Sequence, residues 1–198
     1  MPFVAGRPAG RPRNPELDRA ILAAAERQLG EVGYARMSLD SIAAQAGTTV
    51  PAVRRRFRGK AEVVIAVIES LRIQHLPEPA GPPRERALTL LRNFHANLGR
   101  TNSMAVVGSL LTEERRHPEL LEAFRRKLVE PRRQALRRIL DEAVNGGELG
   151  ASVDSEVLAS MLIGAFYARY IASSDVPEHW PESVLRHIWP APCGHRCG

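Results

Sequence analysis

The chain has 198 residues, 44% of them hydrophobic and 25% charged, so a sizeable core can form and the charge content is ordinary for a globular protein. No apolar run approaches the roughly 20 residues of a membrane-spanning helix, and the N-terminus carries no secretory signal, so we expect a cytoplasmic protein without a membrane partner. The net charge is +6, and residues 1–75 hold 12 Lys and Arg against 7 Asp and Glu, whereas residues 76–198 hold 16 against 15. This basic head on a nearly neutral body indicates a polyanionic partner for the head.

Residues 1–14 are rich in Gly, Pro and Arg, which predicts a flexible basic arm. Arg11 and Arg13 stand in Gly-Arg-Pro surroundings that can place guanidinium groups in a narrow minor groove of DNA. A solubilising tail has the same composition, so the arm alone does not decide between these two roles.

Apolar periodicity and helix-cap signals predict four helices in residues 15–75. They run from Pro15 to before Gly33, from Ser38 to before Gly47, from Thr49 to before Gly59, and from about Lys60 to Gln74. We interpret this segment as one compact head domain.

The second and third helices lie within residues 38–57, which read SLDSIAAQAGTTVPAVRRRF. Both helices are short and a Gly-containing turn joins them, a pattern that favours the steep crossing of a helix-turn-helix motif. Val53 and Phe57 are expected to brace the third helix, and the remaining residues then face outward toward the major groove of double-stranded DNA.

Small residues at the start of the third helix suit contacts with base edges, and the arginines after them suit guanine or phosphate contacts. A solvated helix end is the alternative interpretation of such a charge run. We predict that replacing Arg55 or Arg56 by alanine weakens DNA binding and leaves the fold intact. The complete set predicted to contact DNA is Arg11, Arg13, Ser38, Thr48, Thr49, Val50, Pro51, Ala52, Arg54, Arg55, Arg56 and Lys60.

Four prolines in residues 76–83 exclude a helix there and mark the start of a second domain, residues 84–190, followed by a flexible tail, 191–198. This domain is predicted to contain helices over Glu85–Leu98, Met104–Leu111, Pro118–Val144, Asp154–Ser173 and Pro181–Ile188. The second of these is apolar nearly all round, as a buried central helix is, and Pro131 should kink the third. The predicted fold is all-α, about nine helices, with an N-terminal three-helix, helix-turn-helix DNA-binding domain and a C-terminal helical bundle.

Neither a metal site nor an enzyme active site is expected. Cys193, His195 and Cys197 are potential soft ligands, with His187 as a fourth, but their spacing and their place at the chain end favour a frayed tail over a zinc site. The sequence contains no phosphate-binding Gly-rich loop, zinc-protease pair or serine elbow. We therefore predict no cofactor and no catalysis.

The head closely resembles the DNA-binding domain of the TetR family of transcriptional regulators. The resemblance rests on the Gly33-Tyr34 pair, on the Ser38 cap with Leu39, Ile42 and Ala43, on Ala46-Gly47, on Phe57 and on Lys60. The body segment His117–Leu136 is similar to one TetR ligand-binding subtype. Arg54 stands where the family usually has a phosphate-contacting Tyr, and Ala52 where a Thr is common.

The resemblance implies a homodimer built by the last two helices and a small-molecule inducer pocket between the middle helices. An intramolecular core is the alternative for both sets of residues. The implied dimer residues are Leu158, Met161, Ala165, Arg169, Tyr170, Trp180, Val184 and Ile188. The implied pocket residues are Leu90, Phe94, Met104, Val107, Leu111, Phe124, Leu128, Leu162 and Phe166.

Together these features predict a sequence-specific transcriptional regulator, a repressor that an apolar or amphipathic ligand releases from a palindromic operator. A nonspecific DNA-binding protein, or a protein-interaction bundle without an inducer, is the alternative. The two differ in one observable: a regulator protects one palindrome, whereas a nonspecific binder retards any DNA equally.

Overall fold

The computed structural model describes residues 14–71, 79–100, 102–173 and 175–189, and within these ranges all regular structure is helical, which confirms the all-α prediction. A π-helical segment spans Arg125–Val129. The α-helices are α1 (Pro15–Glu31), α2 (Gly33–Arg36), α3 (Leu39–Gln45), α4 (Val50–Arg54), α5 (Lys60–Ser70), α6 (Pro83–Leu98), α7 (Ser103–Thr112), α8 (Pro118–Phe124), α9 (Glu130–Asn145), α10 (Ser155–Ser173) and α11 (Trp180–Ile188).

Short polar side chains begin several of these helices. The Asn14 side chain accepts hydrogen bonds from the first turn of α1, and Asp154 does the same for α10. At α3, Ser38 and Ser41 form a reciprocal capping box in which each backbone N–H donates to the other hydroxyl, at 3.0 and 3.1 Å. Thr49 holds the cap position of α4, but its side chain makes no capping hydrogen bond. Hydrogen bonds from a capping side chain therefore set the starts of α1, α3 and α10.

The turn after α1 contains a helix that the sequence pattern does not predict. Gly33 has a φ of +78°, which glycine adopts without strain, and it reverses the chain directly into the four-residue α2. Four residues are too few to show a 3.6-residue period. Gly33 thus ends α1 as predicted and begins a new helical turn.

The predicted helix over Pro118–Val144 is interrupted at the position of its internal proline. Pro131 has no N–H to donate to Lys127, and the chain widens into the π-helical segment immediately before it, where the Glu130 N–H donates to the Arg125 carbonyl. The single predicted helix is therefore α8, a π turn and α9 in succession.

Two hydrophobic cores hold the helices together. The first joins α1 to α5 with α7, α8 and the π segment, and its fully buried members include Ile21, Ile42, Val53 and Leu120. The second joins α6, α9, α10 and α11 around residues such as Leu140. The first core thus extends from the head into residues beyond the proline-rich stretch. Among the described helices, none has both the length and the apolar character of a membrane span.

Helix α7 is half-buried, so the prediction of a fully buried central helix is wrong. Val106, Val107 and Leu110 face the interior, while Leu111 is 54% exposed and Gly108 is exposed. A helix that is apolar on all sides can also leave one face exposed to solvent, so its sequence does not show which faces are buried.

Helix α1 touches the start of α7 through a glycine. A Cβ added to Gly30 would lie 2.5 Å from the Asn102 Cβ, whereas a Cβ on Gly108, within α7, would meet no atom within 4 Å. Asn102 itself has a φ of +68° and directly precedes α7. The absence of a side chain at Gly30 therefore permits the close approach of the head to the body.

We expect Gly30→Ala to lower the free energy of unfolding by about 1–3 kcal/mol, because the added methyl overlaps Asn102. The matched variant Gly108→Ala should raise it by about 0.5–1 kcal/mol, because alanine favours the helix and the site is open. Urea unfolding followed by circular dichroism measures both. Equal changes in the two variants would contradict the close approach of α1 and α7.

Candidate DNA interface and effector cavity

A buried polar network fixes α3 against α1. The Ser41 hydroxyl donates to the Gln28 Oε1 at 2.7 Å, and the Gln28 Nε2 donates to the Gln45 Oε1 at 2.9 Å. Gln28 is buried in the middle of these contacts. The network sets the position of the first helix of the helix-turn-helix motif relative to the rest of the head.

Helix α4 is seated by its apolar side and presents its polar side outward. Val53 is fully buried, and Phe57 packs against the first core, as predicted. Exposed side chains of the candidate interface are Thr49, Pro51, Arg54 and Arg55, and half-buried ones are Ser38, Thr48 and Val50. The structure therefore brings these predicted residues together on one surface, while their contacts with DNA stay a prediction.

Two of the predicted contact residues face inward. Ala52 is only 6% exposed, so the prediction that it is available to DNA is wrong. Arg56 forms an ion pair with Asp18 of α1, and its Nη1 donates to the Ala52 carbonyl at 3.1 Å. Arg56 lies two residues beyond the end of α4, and its side chain points toward α1. It thus braces the end of α4 against α1.

Lys60 makes two intramolecular contacts, and its predicted contact with a DNA phosphate stays a prediction. Its Nζ donates to the Tyr34 carbonyl at 2.7 Å and lies 4.1 Å from the centroid of the Tyr34 ring. Burial lowers the pKa of Lys60 and raises the pKa of Tyr34. The Tyr34 N–H donates to the Ser109 Oγ at 2.9 Å, so this cluster ties α5 and α2 to α7 of the body. Arg11 and Arg13 lie outside the described residues.

We expect Arg56→Ala to destabilise the head by about 1–2 kcal/mol, because it removes a charge-assisted hydrogen bond and leaves Asp18 without its partner. The prediction that the Arg56→Ala variant stays folded remains a prediction, with this loss of stability added to it. Thermal unfolding of Arg56→Ala and Arg55→Ala should show a lower Tm only for the first. A Tm unchanged in Arg56→Ala would show that the ion pair contributes nothing.

A cavity of about 840 Å³ lies where the head meets the body. The head contributes Glu26, Ser70 and Leu71 to its wall, and the body contributes apolar, hydroxyl, amide and cationic side chains. The body residues are Phe94, Asn97, Leu98, Arg100, Asn102, Ser103, Val106, Val107, Phe124, Leu128, Val129, Arg132, Arg133, Ser160, Ile163, Gly164 and Tyr167.

The predicted pocket residues divide between four locations. Phe94, Val107, Phe124 and Leu128 line the 840 Å³ cavity, and Met104 and Phe166 line a second cavity of about 670 Å³ beside it. For three residues the prediction is wrong, since the apolar patterns of core and cavity are alike: Leu90 and Leu162 are buried in the second core, and Leu111 is exposed. The sequence does not predict Arg132 as a lining residue.

Comparison with known proteins assigns the chain to a family. A family model described as bacterial regulatory proteins, tetR family, matches residues 21–67, and one described as tetracyclin repressor-like, C-terminal domain, matches residues 77–188, more than half of the chain. The chain belongs to the TetR family. It is therefore a DNA-binding transcriptional regulator, as its sequence motifs predict.

Relatives of this TetR protein include two that are described only as uncharacterized HTH-type transcriptional regulators. The one from Mycobacterium bovis is 31% identical over 85% of both chains. The other, YdeS of Bacillus subtilis, is 27% identical over 84% of both.

Solved TetR-like structures share the fold at lower identity. The fatty acid degradation regulator FadR from Bacillus halodurans has a TM-score of 0.73 at 19% identity, covering 94% of this chain and 100% of its own. MexZ from Pseudomonas aeruginosa, a repressor responsible for antibiotic resistance, has a TM-score of 0.70 at 23% identity, covering 90% and 98%. FadR from Bacillus subtilis in complex with stearoyl-CoA has a TM-score of 0.72 at 19% identity, covering 86% and 97%.

The dimer residues implied by the TetR resemblance are only partly accessible. Met161 is 54% exposed, and Val157 and Ile171, which were not predicted, are 54% and 80% exposed on the same helix. Leu158 is buried in the second core, so its predicted place in an interface is wrong. Half-buried are Ala165, Arg169, Tyr170, Trp180, Val184 and Ile188.

Intramolecular contacts account for part of that burial. Arg169 lies 5.7 Å from the Trp180 ring, and Tyr170 stacks on Phe166 with ring centroids 6.3 Å apart. Within the described residues, no three His, Cys, Asp or Glu side chains group as metal ligands do. Cys193, His195 and Cys197 lie outside those residues.

Proposed function

We propose that this TetR regulator is a homodimeric repressor that binds a palindromic operator and is released from it by a small amphipathic effector. The observation that carries this proposal is the position of the 840 Å³ cavity, whose wall includes Glu26, Ser70 and Leu71 of the head. An effector seated there contacts the DNA-binding domain and the body at once. Its binding can therefore favour one arrangement of head and body over another.

Contacts between head and body support this coupling. Asn102 lines the cavity and also touches Gly30 of α1, and the Lys60–Tyr34–Ser109 cluster joins the same two parts. A change at the cavity wall reaches α1 directly, and α1 carries Gln28 and Asp18, which position α3 and α4. The recognition surface is thus a few contacts from the cavity.

The proposed dimer rests on the outer face of α10. Val157, Met161, Gly164, Ala168 and Ile171 recur every three or four residues, which puts them on one side of the helix. Three are exposed large apolar side chains and two are small enough to let another helix approach. Pairing of this face with its copy would give two heads for two half-sites.

Selection of bound fragments from sheared genomic DNA of the source organism, followed by footprinting, tests the proposal. We expect one family of fragments and a symmetric footprint made of two half-sites. Equal retention of all fragments would support the nonspecific alternative and reject the regulator. The operator recovered in this way serves the further experiments below.

A further inference from the structure

The wall of the cavity contains a cationic side chain that has no counter-ion among the described residues. Arg132 follows Pro131 in the first turn of α9, and its Nε is buried and has no hydrogen-bond partner. Across the described ranges, no carboxylate forms an ion pair with it. An arginine stays charged at physiological pH, so an uncompensated positive charge lies at the cavity wall.

The neighbouring arginine shows the contrast. Arg133 also lines the cavity, but it forms an ion pair with Glu156, and its Nη2 donates to the Ser160 Oγ at 2.9 Å. Glu26 and Arg100, which complete the charged lining, are both exposed to solvent. Among the described residues, Arg132 therefore carries the positive charge in the interior part of the cavity wall that no carboxylate balances.

Burial makes this charge costly for the protein alone. Arg132 is half-buried, and this burial lowers its pKa, because the charged form loses part of its hydration and the buried Nε–H has no partner in exchange. Burial also raises the pKa of Tyr167, which lines the same cavity, so its hydroxyl stays protonated and can donate a hydrogen bond. An anion in the cavity would satisfy both donors.

Apolar side chains also line the interior part of the wall. Phe94, Val107, Phe124, Leu128 and Ile163 line it. We propose that the effector is an amphipathic anion whose carboxylate or phosphate group binds Arg132, with Tyr167 as a second donor, and whose hydrocarbon part lies along this apolar wall. The inference rests on the proposed function, since it assumes that this cavity is the effector site.

The test compares four probes that share a dodecyl chain: dodecanoate, dodecyl phosphate, 1-dodecanol and dodecyltrimethylammonium, each below its micelle concentration. Binding to the full chain is measured by titration calorimetry without DNA. We expect the anions to bind at least about tenfold more tightly than the neutral and cationic probes, as one charge-assisted hydrogen bond provides. The tighter of the two anions shows whether the site prefers a carboxylate or a phosphate head group.

Variants connect this preference to the arginine. Arg132→Met should lose the preference for anions and still bind 1-dodecanol. Arg132→Lys should keep part of the preference for anions. Tyr167→Phe should reduce this preference less than Arg132→Met does. Arg138→Met, an exposed arginine of the same helix, is the matched control and should bind all probes as the unaltered chain does. Because Met replaces an unpaired buried charge, Arg132→Met should fold with an unchanged or higher Tm.

The inference is overturned if Arg132→Met binds both anions as tightly as the unaltered chain, if head-group charge makes no difference, or if no probe binds. Operator affinity without ligand is measured separately on the same samples. If the protein binds its operator but shows no preference for the anionic probes, only the proposed class of effector is rejected. If the anions bind through Arg132 but the operator complex stays intact, only the proposed release of the operator by the effector is rejected.

Discussion

Replacing both exposed arginines of the recognition surface, Arg54 and Arg55, by alanine should weaken operator binding by about a hundredfold and leave the Tm unchanged. Both side chains are exposed near the end of α4, and among the described residues neither forms an ion pair. Alanine is a better helix former than arginine, so the fold should tolerate the change. Fluorescence anisotropy with the selected operator measures the affinity.

The dependence of this affinity on salt gives a second measurement of the same surface. Each phosphate contact that is lost should lower the slope of log K against log salt by about one. Arg138→Ala, on the body, is the control and should change neither the affinity nor the slope. An Arg54→Ala, Arg55→Ala double variant with full affinity would show that DNA binds elsewhere.

Met161→Arg should convert the proposed dimer into a monomer and reduce operator affinity by about two orders of magnitude or more. A charge at the centre of the exposed face of α10 cannot be buried against its copy without a large desolvation cost. A single head then binds one half-site without the effective concentration that the partner supplies. Light scattering after gel filtration gives the mass, and anisotropy gives the affinity.

Leu111→Arg is the matched control, because Leu111 on α7 has the same exposed fraction of 54% as Met161. It should leave both the mass and the operator affinity unchanged. A dimer that survives Met161→Arg, or that is lost in Leu111→Arg, would place the interface on another surface.

Features decided by local chemistry could be predicted from the sequence. The Ser38 cap and the turn at Gly47 involve residues within a few positions of each other, and the structure places α3 and α4 around them. Pro131 predicted a kink in one helix, whereas the structure has a π turn that separates α8 from α9, and that choice depends on the surrounding packing.

Features decided by long-range packing could not be predicted. Ala52 and Arg56 look as outward as Arg55 in the sequence, and only the approach of α1, which brings Asp18 to Arg56, distinguishes them. Leu162 and Phe124 are both large apolar residues, yet one fills the second core and the other lines the cavity. Arg132 lies in an Arg-rich helix that resembles a solvated face, and its burial depends on α10, which is remote in sequence.

The shared wall between head and cavity has a thermodynamic consequence. If occupancy by the effector weakens the operator complex by some factor, the DNA-bound protein must bind the effector more weakly by that same factor. Titrations of the isolated protein therefore overstate the sensitivity of the regulated promoter. Under the proposed function, the concentration of effector needed to release the operator depends on how much of the protein is already bound to it.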